Sequence, residues 1–263
     1  MKRVFITGAS SGIGAALAQR YADQGAALGL VARRREVLEQ LAAGLPHPER
    51  HRIYPLDVTD HAALADAAAD FAGAMQGIDI VIANAGISHG TLTEHAGDLP
   101  VFERILATNV TATAASFAPF IGALKKQARS GDRGCRLVGI ASVSGIRGLP
   151  GAGAYSASKA AVISYCESLR VELKHTGIRV VTISPGYIDT PMTRGNRYPM
   201  PFLMSPEKFA ERAVRAIDAG TGYTVIPWQM AIVAKLLRLL PNRVYDAAFA
   251  RAPHKERNAP EQK

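Results

Sequence analysis

The chain has 263 residues, 48% of them hydrophobic, 20% charged and 6% aromatic, with a formal charge of +9 at neutral pH. This balance excludes a collagen-like, disordered or disulfide-dense chain and suits one α/β domain with a full-size core. Arg3 to Thr7 reads as a first strand, Gly12 to Gln24 as a helix, Ala27 to Ala32 as a strand and Arg34 to Ala43 as a helix. Arg52 to Leu56 and Ile78 to Ala83 continue as strands around a helix at Ala62 to Met75. A long helical pattern covers Val101 to Lys126, the strand Cys135 to Ala141 follows, and Ala152 to His175 is helical again. Ile178 to Ser184 and Tyr223 to Ile226 close the strand series on either side of a helix at Pro206 to Ala219. Most strands are unbroken apolar runs, the pattern of a parallel sheet covered on both faces. The alternation predicts right-handed crossovers and a doubly wound sheet of about seven parallel strands. Residues 1–250 read as one domain, 228–250 being a helical extension, and 251–263 as a polar, mobile tail.

Thr7-Gly8-Ala9-Ser10-Ser11-Gly12-Ile13-Gly14 joins the first strand to the first helix. Glycines there let backbone amides approach a pyrophosphate, and the helix N-terminus adds positive dipole. The three-residue gap between the first two glycines is wider than in G-x-G-x-x-G. The second strand ends in Arg33-Arg34-Arg35, with no acidic side chain to bond a free ribose 2′-hydroxyl. An arginine can grip a 2′-phosphate instead, so Arg33, helped by Arg34, favours NADP(H) over NAD(H); Arg35 reads as a solvated first turn.

Tyr155 and Lys159 are four residues apart near the start of a helical pattern, and so share a face. A nearby ammonium favours phenolate, drawing a tyrosine toward the range of a general acid/base. Ser142 ends an apolar strand, Asn84-Ala85-Gly86 ends another, and Asn109 lies in the helical pattern between those two strands.

With these parts in order, the chain resembles the short-chain dehydrogenase/reductase family over roughly residues 2 to 226. Thr7 to Gly14 is similar to its T-G-x-x-x-G-x-G cofactor loop. The resemblance implies a Rossmann-type domain, adenine contacts from Asp57 and Val58, and a cleft wall at Asn84, Ala85 and Gly86. Asn109, Ser142, Tyr155 and Lys159 fall on the family's catalytic tetrad. Pro185-Gly186-Tyr187-Ile188-Asp189-Thr190 is similar to the segment beside the nicotinamide, contacted through Ile188 and Thr190. It further implies hydride transfer from the pro-S face, Tyr155 as proton donor, Ser142 as hydrogen-bond donor to the same oxygen, and Lys159 as the ribose ligand. Asn109 is implied to anchor a water that serves Lys159. The implied partner is a small carbonyl or alcohol, and a homodimer or homotetramer is expected. A 3-oxoacyl thioester reductase, acting on a carrier protein or CoA, is the alternative enzyme. A non-catalytic NADP-binding regulator is the alternative of another class.

Other signals carry less. Asn109-Val110-Thr111 matches a glycosylation sequon, but the tetrad reading places it inside. His47 and His51 have metal-like spacing, yet Pro48 breaks the helix between them and no third ligand is evident, so no metal is expected. Two cysteines, Cys135 and Cys166, read as packing residues in a reducing, cytoplasmic compartment. Met1-Lys2-Arg3-Val4-Phe5-Ile6 is too short for a targeting core, and no uncharged apolar run reaches the ~18 residues of a membrane span. The surplus cations, among them Lys125, Arg129, Arg133, Arg194 and Arg197, lack the interleaved aromatics of a nucleic-acid binder. They suit an acidic carrier, an acyl-CoA or an anionic membrane surface better. Trp228 to Leu240 reads as a helix carrying Lys235 and Arg238, stopped by Pro241, with Ile232, Val233, Leu236, Leu237 and Leu240 facing inward. Such a segment can roof the cleft, join a dimer contact or lie peripherally on a membrane, and it tilts the substrate toward bulky, apolar, lipid-like carbonyls.

Overall fold

The computed structural model describes residues 1–131, 134–196, 199–250, 255 and 257. Its strands are β1 (Arg3–Thr7), β2 (Ala27–Ala32), β3 (His51–Pro55), β4 (Ile80–Ala83), β5 (Arg136–Ile140), β6 (Arg179–Pro185) and β7 (Tyr223–Ile226). They form a single parallel sheet in the order β3-β2-β1-β4-β5-β6-β7. Strand order reverses between β1 and β4, which opens a crevice at their C-terminal ends. The sequence reading of a doubly wound α/β domain matches this architecture, with strand ends displaced by a residue or two.

Side chains alternate across each strand, so neighbours feed opposite layers. Ile6, Leu28 and Leu30 meet Leu17, Tyr21 and Phe209 from α1 (Gly12–Ala22) and α7 (Pro206–Ala219), beside α2 (Arg35–Gly44). Phe5, Val81 and Leu137 meet Phe71 of α3 (His61–Ala74), Phe117 and Phe120 of α5 (Ala112–Arg129), and Val162 of α6 (Gly153–Glu172). Because both faces are sealed, an apolar residue is needed at every position of β2, and all six are buried.

The helix expected over Val101 to Lys126 is three pieces. A short α4 (Leu99–Leu106) passes through one π-helical stretch, Ala107–Thr111, into α5. Among the described residues the run Ala96–Arg129 alone is long and apolar enough to cross a membrane by length and composition. It is a core helix here, burying Ile105, Phe117, Phe120 and Leu124.

The C-terminal extension forms α8 (Trp228–Leu239) and α9 (Asn242–Phe249), with Pro241 between them as the second helix's cap. The inward face expected for α8 requires correction. Ile232 and Leu236 are exposed, Val233, Leu237 and Leu240 are half-buried, and the buried anchors are Met230 and Ala234. The helix phase is set at its start, where Met230 fills the space that Gly186 leaves open. Its C-terminal end is held by Arg147, which donates to the Leu237 and Leu240 carbonyls, the latter at 2.8 Å. The same guanidinium lies 3.9 Å from the ring centroid of Tyr245, whose hydroxyl donates to the Gly148 carbonyl. Arg133, Arg197 and most of 251–263 lie outside the described residues. The two tail residues that are described do not hang free: Lys255 donates to Ser88 at 2.8 Å, and Arg257 forks onto Asp98 at 2.8 and 3.0 Å.

Candidate active site

A cleft of about 430 Å³ opens at the crevice between β1 and β4. Its floor is the glycine loop. A Cβ on Gly14 would stand 2.1 Å from the Gly8 carbonyl oxygen, and Gly8 itself has φ +67°, so neither position takes a side chain. Asn84 closes this loop from the neighbouring strand, donating its amide to the Thr7 and Gly8 carbonyls at 3.0 and 3.1 Å. Thr7 returns the tie, its hydroxyl accepting from the Asn84 and Ala85 amides at 3.1 and 3.2 Å. Ser11, the residue before α1, puts no side chain on the helix's first amides. Those amides and the bare glycine cradle fit a pyrophosphate.

Ser10, Ser11, Gly12 and Ile13 line one end of the cleft with Arg33, Arg34, Asp57 and Val58. Arg34 donates to Ser10 at 3.2 Å, which draws its guanidinium over the loop. Arg33 is exposed and 3.8 Å from Asp57. Burial pushes the Asp57 carboxyl up, but two bonds from Thr59 and the Arg33 charge outweigh it and hold the group below its ordinary value. The opposite wall comes from Pro185, Gly186, Ile188 and Thr190, and a Cβ on Gly12 would come within 3.0 Å of Thr190.

At the other end the cleft is lined by Ala85, Gly86, Ser142, Tyr155 and Lys159. Ser142 follows β5 and accepts the Ser144 amide at 3.1 Å, which fixes its side chain at the start of a short 3-10 turn. It also hydrogen-bonds the Tyr155 hydroxyl. Lys159, buried to 5% exposure, donates to the Ile140 carbonyl at 2.8 Å, and its nitrogen lies 5.8 Å from the Tyr155 ring centroid. Burial draws its pKa down to about 8. For Tyr155 the sequence expected a pKa lowered by the ammonium. Here burial raises it and only the Ser142 bond opposes, because Lys159 is turned to a carbonyl and not to the phenol oxygen.

Asn109 is fully buried in the π-helical stretch and does not line the cleft directly. Its amide donates to the Ile87 carbonyl at 3.0 Å and to Ser158 at 2.9 Å, while its oxygen accepts the Ile87 amide at 2.8 Å. A Cβ on Gly86 would lie 3.2 Å from that oxygen and 3.5 Å from the Lys159 nitrogen, so Gly86 is the thin wall between them. Of the other histidine and cysteine signals, His51 bonds the Pro46 carbonyl at 2.9 Å, and Cys135 and Cys166 are buried without a disulfide between them, Cys135 facing the Leu124 carbonyl at 3.6 Å. Sequence reasoning missed Arg104 and Thr108, which line the cleft from α4 and the π stretch, and Arg147, which ties α8 to the loop after Ser142.

The open sheet, its switch-point cleft and the glycine loop define a dinucleotide-binding α/β protein. The family model for short chain dehydrogenase matches residues 2–200. An uncharacterized oxidoreductase of Myxococcus xanthus is 37% identical over 260 residues, 95% of this chain and 97% of that protein. An uncharacterized oxidoreductase of Mycobacterium tuberculosis is 36% identical over 92% of this chain and 95% of its own. Among solved structures, a 3-ketoacyl-(acyl-carrier-protein) reductase from Brucella melitensis, complexed with NADH, superposes with a TM-score of 0.79 at 28% identity. It covers 86% of this chain and 96% of that one. The chain belongs to the short-chain dehydrogenase family. It is an oxidoreductase of CH–OH and C=O groups, in a family that binds a nicotinamide cofactor.

Proposed function

We propose that the protein reduces a bulky, apolar carbonyl to a secondary alcohol with NADP(H) preferred over NAD(H). The observation that carries this reading is the convergence of Tyr155, Ser142 and Lys159 at one end of a cleft whose other end holds Arg33 and Arg34. A bound nicotinamide dinucleotide supplies the hydride. Tyr155, kept protonated by burial, donates its proton to the carbonyl oxygen, and Ser142 hydrogen-bonds the same atom, so charge never builds unshielded. With the cofactor in place, Lys159, which now donates to the Ile140 carbonyl, would hold the ribose. Asn109 holds the Ile87 backbone and, in this reading, steadies a water on the way to Lys159. Gly8, Gly12 and Gly14 would admit the pyrophosphate, Asp57 and Val58 would hold the adenine, and Ile188 and Thr190 the carboxamide. Arg33, exposed and only loosely paired with Asp57 at 3.8 Å, would hold the 2′-phosphate.

The reading includes a single domain over 1–250 whose extension shapes the substrate end, Met230 being packed against the cleft residue Gly186. It also includes a homodimer or homotetramer formed through the alanine-rich α4–α5 and α6 faces, and a cytoplasmic location, in keeping with two buried cysteines that form no disulfide.

One observation favours a second reading, reduction of a 3-oxoacyl thioester: the structural likeness to the Brucella melitensis reductase. Turnover of NADPH with large ketones, small aldehydes and 3-oxoacyl thioesters separates the two. The proposal expects the highest kcat/KM on large ketones. Preference for thioesters transfers the assignment to the second reading, and tight NADPH binding without any turnover points to a regulatory protein instead.

A further inference from the structure

The face that α8 turns away from the core is the most unusual surface of the molecule. Trp228, Ile232, Leu236 and Leu239 are 62%, 50%, 60% and 79% exposed. At about 100° per residue they lie within about 80° of one another, opposite the buried Met230 and Ala234. This is one continuous apolar stripe, and not scattered exposure. Apart from Met1, Leu99 and Val171, every exposed large hydrophobic side chain of the described residues lies between Met192 and Val244. Met192 itself lines the cleft.

Charge decides what such a stripe can meet. From Ala219 to Tyr245 the chain has no carboxylate, while Lys235, Arg238 and Arg243 are all exposed. The preceding helix α7 is different: it intersperses Glu207, Glu211 and Asp218 with its cations and pairs Arg215 with Glu211 at 3.3 Å. A second copy of this chain is a poor occupant, since a two-fold contact would set the same unbalanced cations against each other. An anionic bilayer satisfies both halves of the surface. The apolar stripe enters the headgroup boundary, the cations reach the phosphates on extended stems, and the indole of Trp228 takes the interfacial level.

We infer that the outer face of α8, with Arg243 at the start of α9, docks the protein on an anionic phospholipid surface, with the helix lying in the membrane plane and crossing nothing. The docking is independent of the chemistry.

Trp228 is the chain's one tryptophan, so it reports on this face without labelling. The full-length protein is mixed, without substrate or cofactor, with vesicles of phosphatidylcholine alone or with phosphatidylglycerol added. The expected result is co-flotation with the anionic vesicles only, a blue shift of Trp228 emission, quenching by brominated acyl chains, and release by high salt. Lys235→Gln with Arg243→Gln should weaken partitioning about 25-fold, about 5-fold per cation removed. Leu236→Ser with Leu239→Ser, both at exposed positions, should abolish the emission shift while leaving the thermal unfolding temperature unchanged. Flotation without a Trp228 shift would mean adsorption through another surface and overturns the inference, as does equal binding to neutral vesicles or no binding to either. A blue shift that follows protein concentration in the absence of lipid makes the face a contact between copies and overturns it as well.

Discussion

At the glycine-loop end of the cleft the backbone forms the closest-packed part of the lining, whereas at the Tyr155 end side chains form it, with a late helical hairpin packed behind. The glycine loop presents amides at a helix N-terminus, tied to β4 by Asn84, and a single added methyl at Gly14 would strike the Gly8 carbonyl. The Tyr155 end is assembled from parts distant in sequence: Ser142 after β5, Tyr155 and Lys159 on α6, and α8 held to the Ser142 loop by Arg147. A backbone cradle tolerates no substitution at its closest approaches and leaves little to vary. A side-chain assembly can be re-aimed by changing what it leans on, which is how one fold serves many substrates.

The sharpest way to separate the two ends is to disable one and measure the other. Tyr155→Phe removes only the phenol hydroxyl, and kcat is expected to fall by about 10²- to 10⁴-fold. The dissociation constant for NADPH, followed by nicotinamide fluorescence, should stay within a few-fold. Retention of more than about a tenth of kcat would remove Tyr155 from the proton-donor role.

Arg33→Ala perturbs the opposite end. Loss of a charged hydrogen bond of about 1.5–3 kcal/mol corresponds to roughly a 10- to 150-fold rise in KM for NADPH. KM for NADH should barely move, and wild-type preference for NADH would defeat the Arg33 assignment.

Acidity gives a subtler comparison. Burial lowers Lys159 to about 8 from the usual lysine value, so its ammonium is the favoured form only below that pH. If reduction needs the ammonium, kcat is level below about 8 and declines up to tenfold per unit as pH rises through it. A profile flat through pH 9.5 would show that the charge on Lys159 is not required.

The smallest effect is expected from Arg147→Ala, which frees the C-terminal ends of α8. At about 2 kcal/mol for the lost charged bonds, Tm should drop by roughly 4–8 °C with NADPH affinity unaltered. An unchanged Tm would mean that the hairpin is held chiefly by Met230, Ala234 and Tyr245.

The contrast between the ends also explains what could be read from the sequence. Residues Thr7 to Gly14 act through backbone geometry, which constrains residue type locally, so their meaning is visible in one short string. Tyr155 and Lys159 share a helix face and were legible for the same reason. Ser142 and Asn84 could be placed because each ends an apolar strand of a sheet expected to be parallel. The phase of α8 was not legible, because its apolar residues cover more than one face. Which face is buried depends on the empty space over Gly186, contributed by a segment some forty residues earlier. Arg147 gives no local signal either, since its partners are carbonyls 90 and 93 residues away. The direction of the Tyr155 pKa was misjudged because spacing along a helix shows that two groups are near, not where the ammonium finds its acceptor.

The π-helical stretch has a consequence for anyone recombining pieces of this fold. A π turn accommodates one residue more than an α turn, so Ala107–Thr111 rotates everything after it by about 100° relative to an unbroken α-helix. That rotation lets Ile105 face α6 while Phe117 and Phe120 face the sheet, and it turns Asn109 toward Ile87. A crossover point placed within these five residues must therefore conserve the rotation they make, as five residues in a π turn or four in an α turn, before their identity. Forcing the same five residues into an α turn would re-phase all of α5 and swing Phe117 off the core, whereas exchanging side chains with the π turn kept would disturb only the Asn109 ties.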